Sequence, residues 1–359
     1  VHCVASPRYV SDSGVLFENK SEGVSLLRMP LEYSGEYVVP SWATEISEVA
    51  FMGSSIMSVV IAESVGKIGN DAFSGCSYLE SVTFAPSSTK AKELAIGKRA
   101  FKDCTALTKA TIGDNGVYQA STSIGYYAFQ GCTSLATAII GDSVVTVPDY
   151  TFSGCSALSS VTFGKNVQVI GVYAFYRCYG LTSIVIPDTV TDVGRYAFYE
   201  CTSVSSIKLG SSLNFIGYHA FSYCNGVKEI VIPASVKTIQ YNAFSNIAKL
   251  ESVIIGDSST QTELTTLGTR VFENCGELKT VVIGDTVGNI SEYCFYNCSS
   301  LTSVTIGKNV ASIADYAFNG CTRLASIAFP SSLKEIGYRS FYNCAALAEI
   351  VFGDGLTTI

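Results

Sequence analysis

The repeating unit of this chain reads, in one of its regular copies, Leu301-Thr-Ser-Val-Thr-Ile-Gly-Lys-Asn-Val-Ala-Ser-Ile-Ala-Asp-Tyr-Ala-Phe-Asn-Gly-Cys-Thr-Arg323. Its Ala-Phe-x-x-Cys phrase, or a close variant, occurs twelve times at intervals of 23 or 28 residues. The phenylalanines of the phrase are Phe73, Phe101, Phe129, Phe152, Phe175, Phe198, Phe221, Phe244, Phe272, Phe295, Phe318 and Phe341. A fixed period in this range predicts stacked repeats, each burying its apolar face only against its neighbours. We therefore expect one elongated array.

The unit predicts two extended segments and one tight turn. Leu301, Val304 and Ile306 have the Leu-x-x-Leu-x-Leu spacing of a leucine-rich repeat strand. The Gly-Lys-Asn that follows is turn chemistry, and a second extended segment then returns apolar side chains to the core. The segment Asp315–Cys321 is predicted to be a short helical or 3₁₀ turn that carries its Phe and Cys inward.

The order of strand, Gly or Pro turn, Ile-Gly-x-x-Ala-Phe and Cys resembles the BspA-like leucine-rich repeat family. We expect a mostly β, curved, right-handed solenoid of about 12–13 coils with short 3₁₀ or helical turns. Residues 1–44 are predicted to form a degenerate N-terminal repeat and cap, and residues 45–359 the array. Because the sequence stops within a unit and shows no polar cap, we expect the natural chain to continue beyond Ile359. The resemblance implies a surface or secreted protein that adheres to host matrix or to other cells.

Composition narrows the function classes. The net charge is -7, with the acids spread along the repeats, and no Lys/Arg stripe suits nucleic acid. No apolar run approaches the ~18 residues of a membrane span. The resemblance to the BspA-like family implies a secreted or cell-surface location, with the export signal and anchor outside this segment.

The eleven repeat cysteines are predicted to be buried free thiols that act as small hydrophobes. They lack the close local pairs of a metal site, and side chains stacked in parallel do not turn toward each other as a disulfide requires. Ile247 takes the place of one cysteine, and isoleucine replaces packing but not a bond. Cys3 lies outside the array and receives no role. No metal or cofactor is expected.

The sequence shows few of the residues that usually carry out catalysis. The chain has only two histidines, His2 and His219, and His219 replaces a tyrosine at a position predicted to face outward. Carboxylates such as Asp114, Asp142, Asp257 and Asp285 follow glycines and have a role in turns. We therefore predict no catalytic residues and no enzymatic activity.

Three sets of residues are candidates for partner binding. Fifteen of the 21 tyrosines lie in the Phe-bearing turns, where they either cover the core or form an aromatic band. The three 28-residue copies carry added residues within Ala85–Ala95, Gly113–Ser123 and Gly256–Thr266, which are either contact loops or neutral drift. The outward column of the predicted concave strand face is short and mostly uncharged, which ordinary β-propensity also explains. Its central residues are the predicted contact site: Ile139, Thr162, Val185, Lys208, Val231, Ile254 and Val282.

The sequence thus predicts a non-catalytic, adhesin-like binding protein that uses an extended concave sheet. Its partner would be a protein or glycan on a host or neighbouring cell. Two alternatives remain: an intracellular protein-interaction scaffold, which free cysteines favour, and a glycan-binding module that uses the Tyr-rich turns.

Overall fold

A computed structural model describes residues 8–85, 92–113, 119–256 and 265–359. The chain divides into two compact units, Val1–Leu181 and Thr182–Ile359. Each unit is a solenoid of short strands and turns, as the repeat period predicts, and none of the described residues lies in a helix. The described ranges therefore contain no apolar helix of the length needed to cross a bilayer. Cys3, His2, Asp114, Asp257 and most of the added residues in the 28-residue copies lie outside these ranges.

The described residues of the first unit form fifteen strands. They are β1 Tyr9–Asp12, β2 Val15–Lys20, β3 Gly23–Arg28, β4 Gly35–Val38, β5 Ala43–Ile46, β6 Ile56–Ile61, β7 Lys67–Ile68, β8 Ser81–Phe84, β9 Lys92–Ile96, β10 Lys109–Ile112, β11 Gln119–Ile124, β12 Thr137–Ile140, β13 Thr146–Val147, β14 Ser160–Phe163 and β15 Val169–Ile170. Within this unit the hydrogen-bonded orders are β1-β2-β3-β5-β7-β9-β11, β4-β6-β8, β10-β12-β14 and β13-β15.

The second unit repeats the same plan, with fifteen strands among its described residues. They are β16 Ser183–Val185, β17 Asp192–Val193, β18 Ser206–Lys208, β19 Phe215–Ile216, β20 Glu229–Ile232, β21 Thr238–Ile239, β22 Ser252–Ile255, β23 Thr266–Leu267, β24 Thr280–Ile283, β25 Asn289–Ile290, β26 Ser303–Ile306, β27 Ser312–Ile313, β28 Ser326–Ala328, β29 Glu335–Ile336 and β30 Glu349–Val351. Its sheet orders are β16-β18, β17-β19-β21-β23, β20-β22-β24-β26, β25-β27-β29 and β28-β30.

Each regular coil contributes one strand of three to six residues and a second strand of two to six residues to two separate parallel ladders. The ladders keep equivalent residues of neighbouring coils side by side, so that Ile254 pairs with Val282. In β22, Val253 and Ile255 are buried while Ile254 between them is half-exposed. This alternation follows from the two-residue period of a strand, and it separates a core face from an outward face.

The first 44 residues differ from the regular repeat. Strands β1, β2 and β3 are antiparallel, and β3 then pairs in parallel with β5. The partly exposed ring of Trp42 packs on the buried Phe17 at a centroid distance of 4.6 Å and an interplanar angle of 60°. The boundary at residue 44 and the continuation beyond Ile359 stay predictions.

A column of stacked phenylalanine rings forms the core of each unit. In the first unit the rings from Phe51 to Phe175 are 4.4–5.4 Å apart. In the second unit the rings from Phe198 to Phe341 are 5.2–5.5 Å apart. These contacts confirm that the recurrent phenylalanine is a packing residue.

The Phe-bearing segment differs in form from the predicted helical or 3₁₀ turn. In the coil that contains Phe318, the backbone N–H groups of Ala317, Asn319 and Cys321 each donate to the carbonyl three residues earlier, as in a tight turn. The alternate N–H groups, those of Tyr316, Phe318 and Gly320, donate instead to the next coil. Tyr316 and Gly320 have φ values of 56° and 80°, and this left-handed conformation breaks the helical run. Alternate backbone N–H groups therefore bind within the coil and to the next coil, and this pattern takes the place of the predicted helical hydrogen bonds.

Candidate binding surfaces

The outward strand face of the second unit carries five of the predicted site residues, in two groups of paired strands. Val185 pairs with Lys208, and Val231 pairs with Ile254, which pairs with Val282. The side chains of Val185 and Val231 are 54% and 49% exposed, Lys208 is exposed, and the other two are half-exposed. We call these five residues the strand-face strip: Val185, Lys208, Val231, Ile254 and Val282.

A shallow groove of about 560 Å³ lies beside Lys208 and Val231 of the strip. Pro233, Lys228 and Glu229 also line it. It therefore combines apolar side chains with two lysines and one carboxylate, and Lys208 makes no ion pair with any side chain in the described ranges.

Three charged residues beside the strip, Lys228, Glu251 and Lys279, form a group of ion pairs. Glu251 lies 2.7 Å from the ammonium of Lys279 and 3.2 Å from that of Lys228. Hydrogen bonds from Lys279 and then Lys228 lower the pKa of Glu251 below its usual value. These three charges thus offset one another in part, and Lys208 and Glu229 add one charge of each sign to the groove.

The remaining two predicted site residues lie in the first unit. Ile139 pairs with Thr111 on one side and with Thr162 on the other, again on the outward face. Thr162 is exposed and Ile139 is half-exposed. The structure therefore places all seven residues on outward strand faces but in two separate units, and their role in binding stays a prediction.

The repeat cysteines form a column of free thiols, as predicted. In ten coils the thiol donates to the carbonyl of the phenylalanine one coil earlier at 3.0–3.5 Å, for example from Cys298 to Phe272 at 3.3 Å. Burial raises the pKa of nine of these thiols, to about 12 at Cys132 and Cys275. A buried, neutral thiol is a poor nucleophile and a poor metal ligand.

Aspartates in the turns accept backbone hydrogen bonds from the next coil. Asp142 accepts the backbone N–H of Lys165 at 2.9 Å, and Asp285 accepts that of Lys308 at 3.0 Å. The same lysines bind these carboxylates through their ammonium groups, which lowers the pKa of both aspartates. No group of three or more potential metal ligands occurs in the described part of the chain.

The repeat sequence itself matches a known pattern over most of the chain. The BspA type leucine rich repeat region, in six copies, matches residues 44–120, 92–199, 122–251, 169–301 and 255–359. The chain belongs to this family. The match confirms the resemblance drawn from the strand, turn and Ala-Phe-x-x-Cys order.

Solved structures of bacterial leucine-rich repeat proteins have the same fold as this BspA-type chain. One from Bacteroides ovatus is 30% identical, with a TM-score of 0.76 over 98% of this chain and 90% of that one. A protein described as a leucine rich cell surface protein, from Faecalibacterium prausnitzii, is 26% identical, with a TM-score of 0.51 over 97% and 95%. No curated protein matches the sequence.

The tyrosines of the BspA-type turns stack into columns of their own. Tyr127, Tyr150 and Tyr173 are 4.7 Å apart in the first unit, and Tyr293 and Tyr316 are 4.8 Å apart in the second. All five adopt positive φ and are half-buried. Their rings therefore cover the core, and their outer edges stay available to solvent.

His219, which was predicted to face outward, is half-exposed, because one side of its ring packs in an aromatic cluster. Its ring stacks on Tyr196 at 5.1 Å and meets the edge of Tyr218 at 4.3 Å. The Nδ1 atom lies 2.8 Å from the hydroxyl of Ser222, and Nε2 lies 3.2 Å from the amide nitrogen of Asn242. Because that amide nitrogen is a donor, Nε2 accepts and Nδ1–H donates to Ser222. Sequence reasoning missed this cluster, since it joins residues from several coils.

The cluster does not form a catalytic pair. Ser222 is completely buried, and its hydroxyl donates to the carbonyl of Asn242. Burial lowers the pKa of His219 to about 4, which keeps the ring neutral at physiological pH. Its neighbours hold the ring in place but leave no accessible nucleophile beside it.

The neutral state of His219 predicts a pH-dependent stability. Its folded pKa of about 4 is below the ordinary value of 6.5, so between these values the unfolded chain binds more protons. The free energy of unfolding should fall as the pH falls through that window, by roughly 1 kcal/mol after screening of a half-exposed ring. In His219→Tyr, this part of the decrease should be absent. Urea unfolding at about pH 7 and about pH 4.5 measures it.

The parent chain is the control for every other titrating group, since the two proteins differ at one residue. Equal decreases in the two proteins would show that protonation of His219 is not coupled to folding.

Proposed function

We propose that this chain is a non-catalytic binding protein, secreted or displayed at the cell surface, that holds a protein partner on the strand-face strip. The partner would lie on host matrix or on a neighbouring cell. The observation that carries the proposal is the strip itself, in which exposed and half-exposed apolar side chains lie on outward strand faces together with Lys208. The cell-surface description of the Faecalibacterium prausnitzii relative supports the location.

The chemistry of the strip suits a protein better than a nucleic acid. An interface core is depleted in charge and its rim is polar. The strip matches that pattern, because the apolar Val185 and Val231 sit inside paired charges at Lys228, Glu251 and Lys279. A rigid sheet also loses little conformational entropy on binding, so many weak contacts add to a useful affinity.

The direct test measures binding of the purified chain to immobilised matrix proteins and to intact host cells. We expect saturable binding that weakens at least about tenfold in Lys208→Glu and in Val231→Asp, because the first reverses a charge and the second replaces an apolar contact with a carboxylate. The matched control is Lys334→Glu, which makes the same charge change at an exposed lysine before β29.

The outcomes separate the competing interpretations. Binding that Lys208→Glu and Val231→Asp leave intact would remove the strip from the contact. Absence of saturable binding on matrix and cells would contradict the adhesin and favour an intracellular scaffold. Protease digestion of whole producing cells tests location, since a surface chain should be degraded while a cytoplasmic marker survives.

A further inference from the structure

A second groove of about 540 Å³ lies in the second unit, on the side of the short strands. It crosses four successive coils, from Arg195 at one end to Thr266 and Gly268 at the other. Tyr218 and Tyr241 line its middle. It is distinct from the strand-face strip, with which it shares no lining residue.

The two tyrosines form a rigid platform. Their rings are stacked 5.2 Å apart with an interplanar angle of 11°. His219 meets the edge of Tyr218 at 4.3 Å, and Tyr196 meets it at 5.1 Å. A platform that is already held in place loses little entropy when a ligand stacks on it.

The aromatic column stops at Tyr241. The next coil carries Thr269 at the same turn position, after Gly268, so no ring continues the stack there. Tyr218 covers one face of Tyr241, and within the described residues no aromatic ring covers the opposite face. This end of the column is therefore shaped for another flat ring.

The polar groups of the groove are hydroxyls, one amide and one cation. Thr238 and Thr266 supply hydroxyls, and Gln240 accepts the backbone N–H of Tyr218 at 3.1 Å, which keeps its NH₂ group for another partner. No Asp or Glu lines the groove. Arg195 is exposed, and within the described ranges no carboxylate forms an ion pair with it. The local charge is thus positive on a chain whose net charge is -7.

We propose that this groove binds an acidic oligosaccharide of about three sugar rings, one for each ~4.8 Å step between neighbouring coils. The C–H face of one pyranose would stack on Tyr241, and the hydroxyls of the sugar would bind Thr238, Thr266 and Gln240. A carboxylate at the other end would bind the guanidinium of Arg195 through paired hydrogen bonds. A peptide suits the groove less well, because the groove offers neither an unpaired strand edge nor an apolar pocket.

The test measures the affinity of the chain for 3′-sialyllactose and trigalacturonate, with lactose and maltotriose as neutral probes. We expect an acidic probe to bind at least about tenfold more tightly than the neutral ones. Tyr241→Ala should weaken that binding about tenfold or more, since stacking on the ring is lost. Arg195→Met should remove the preference for the acidic probe while keeping the stacking.

Matched controls sit outside the groove. Tyr338→Ala makes the same substitution at the same turn position, and Arg323→Met removes an exposed guanidinium. Binding lost in Tyr241→Ala but retained in Tyr338→Ala supports the site. The proposal is overturned if neither acidic probe binds, if neutral probes bind equally well, or if Tyr241→Ala binds as the parent does. These outcomes are independent of protein binding at the strand-face strip, which Lys208→Glu reports.

Discussion

Phe295→Ala is expected to lower the free energy of unfolding by about 3–5 kcal/mol. Phe295 is completely buried and stacks between Phe272 at 5.5 Å and Phe318 at 5.2 Å. Removal of the ring leaves a cavity that both neighbouring coils line, and the coil ladder keeps those coils from closing on it. Urea unfolding followed by far-UV circular dichroism gives the change in midpoint and slope.

The same substitution at the end of the column provides the control. Phe341 stacks on Phe318 at 5.3 Å and is half-exposed. Phe341→Ala should therefore cost clearly less than Phe295→Ala, because solvent already reaches part of the ring and fills the space that is left. Equal losses at the two positions would mean that stacking along the column contributes little, and that the cost reflects only the removed apolar surface of the residue type.

The repeat unit made the strands and the core predictable. Apolar residues recur at fixed positions of the repeat, such as those of Leu301, Val310 and Ile313. Stacking the coils buries every copy of such a position in the same way, and all three residues are buried. The outward direction of Ile254 and Lys208 followed for the same reason, since strand side chains alternate. Periodicity therefore carried the architecture and the orientation of the candidate strip.

The conformation of the turns was harder to predict from sequence. Tyrosine rarely adopts positive φ, so nothing in Tyr316 indicated the left-handed backbone that the coil ladder requires. The sequence did indicate positive φ at another position of the turn, the residue just before the cysteine position. Several copies have glycine or asparagine there: Gly131, Gly154, Asn246, Asn274 and Gly320. Those residue types tolerate positive φ, and all five adopt it.

The second groove and the His219 cluster could not be predicted from the sequence of a single repeat. Each depends on how unlike side chains from successive coils meet, such as Arg195, Tyr218 and Gln240. A column that changes from tyrosine at 241 to threonine at 269 is visible in the sequence, but the space beside it is not. The period specifies the backbone, whereas the departures from it specify the sites.

Alkylation of the unfolded chain is expected to prevent refolding, while the folded chain resists the same reagent. Eleven cysteines of the described ranges are buried, and burial raises the pKa of the thiols of Cys155 and Cys298, for example. The thiolate is the reactive form, so iodoacetamide should label the folded chain slowly. Cys344 is half-exposed, with a pKa of about 11, and should react first in a Cys3→Ser background.

After unfolding in urea all thiols become accessible, and each adduct adds an amide-bearing group to a site that holds only a thiol. Overpacking costs about 1–3 kcal/mol per site, and the adduct also removes the S–H bond to the phenylalanine carbonyl, for instance from Cys298 to Phe272. Summed over the column, this exceeds the total stability of about 5–15 kcal/mol of a typical folded protein. The control is a chain that is not alkylated but is carried through the same unfolding in urea and the same dilution. Mass spectrometry counts the labels, and circular dichroism with limited proteolysis reports refolding. A fully labelled chain that regained native protease resistance would show that the thiol column has room the structure does not give it.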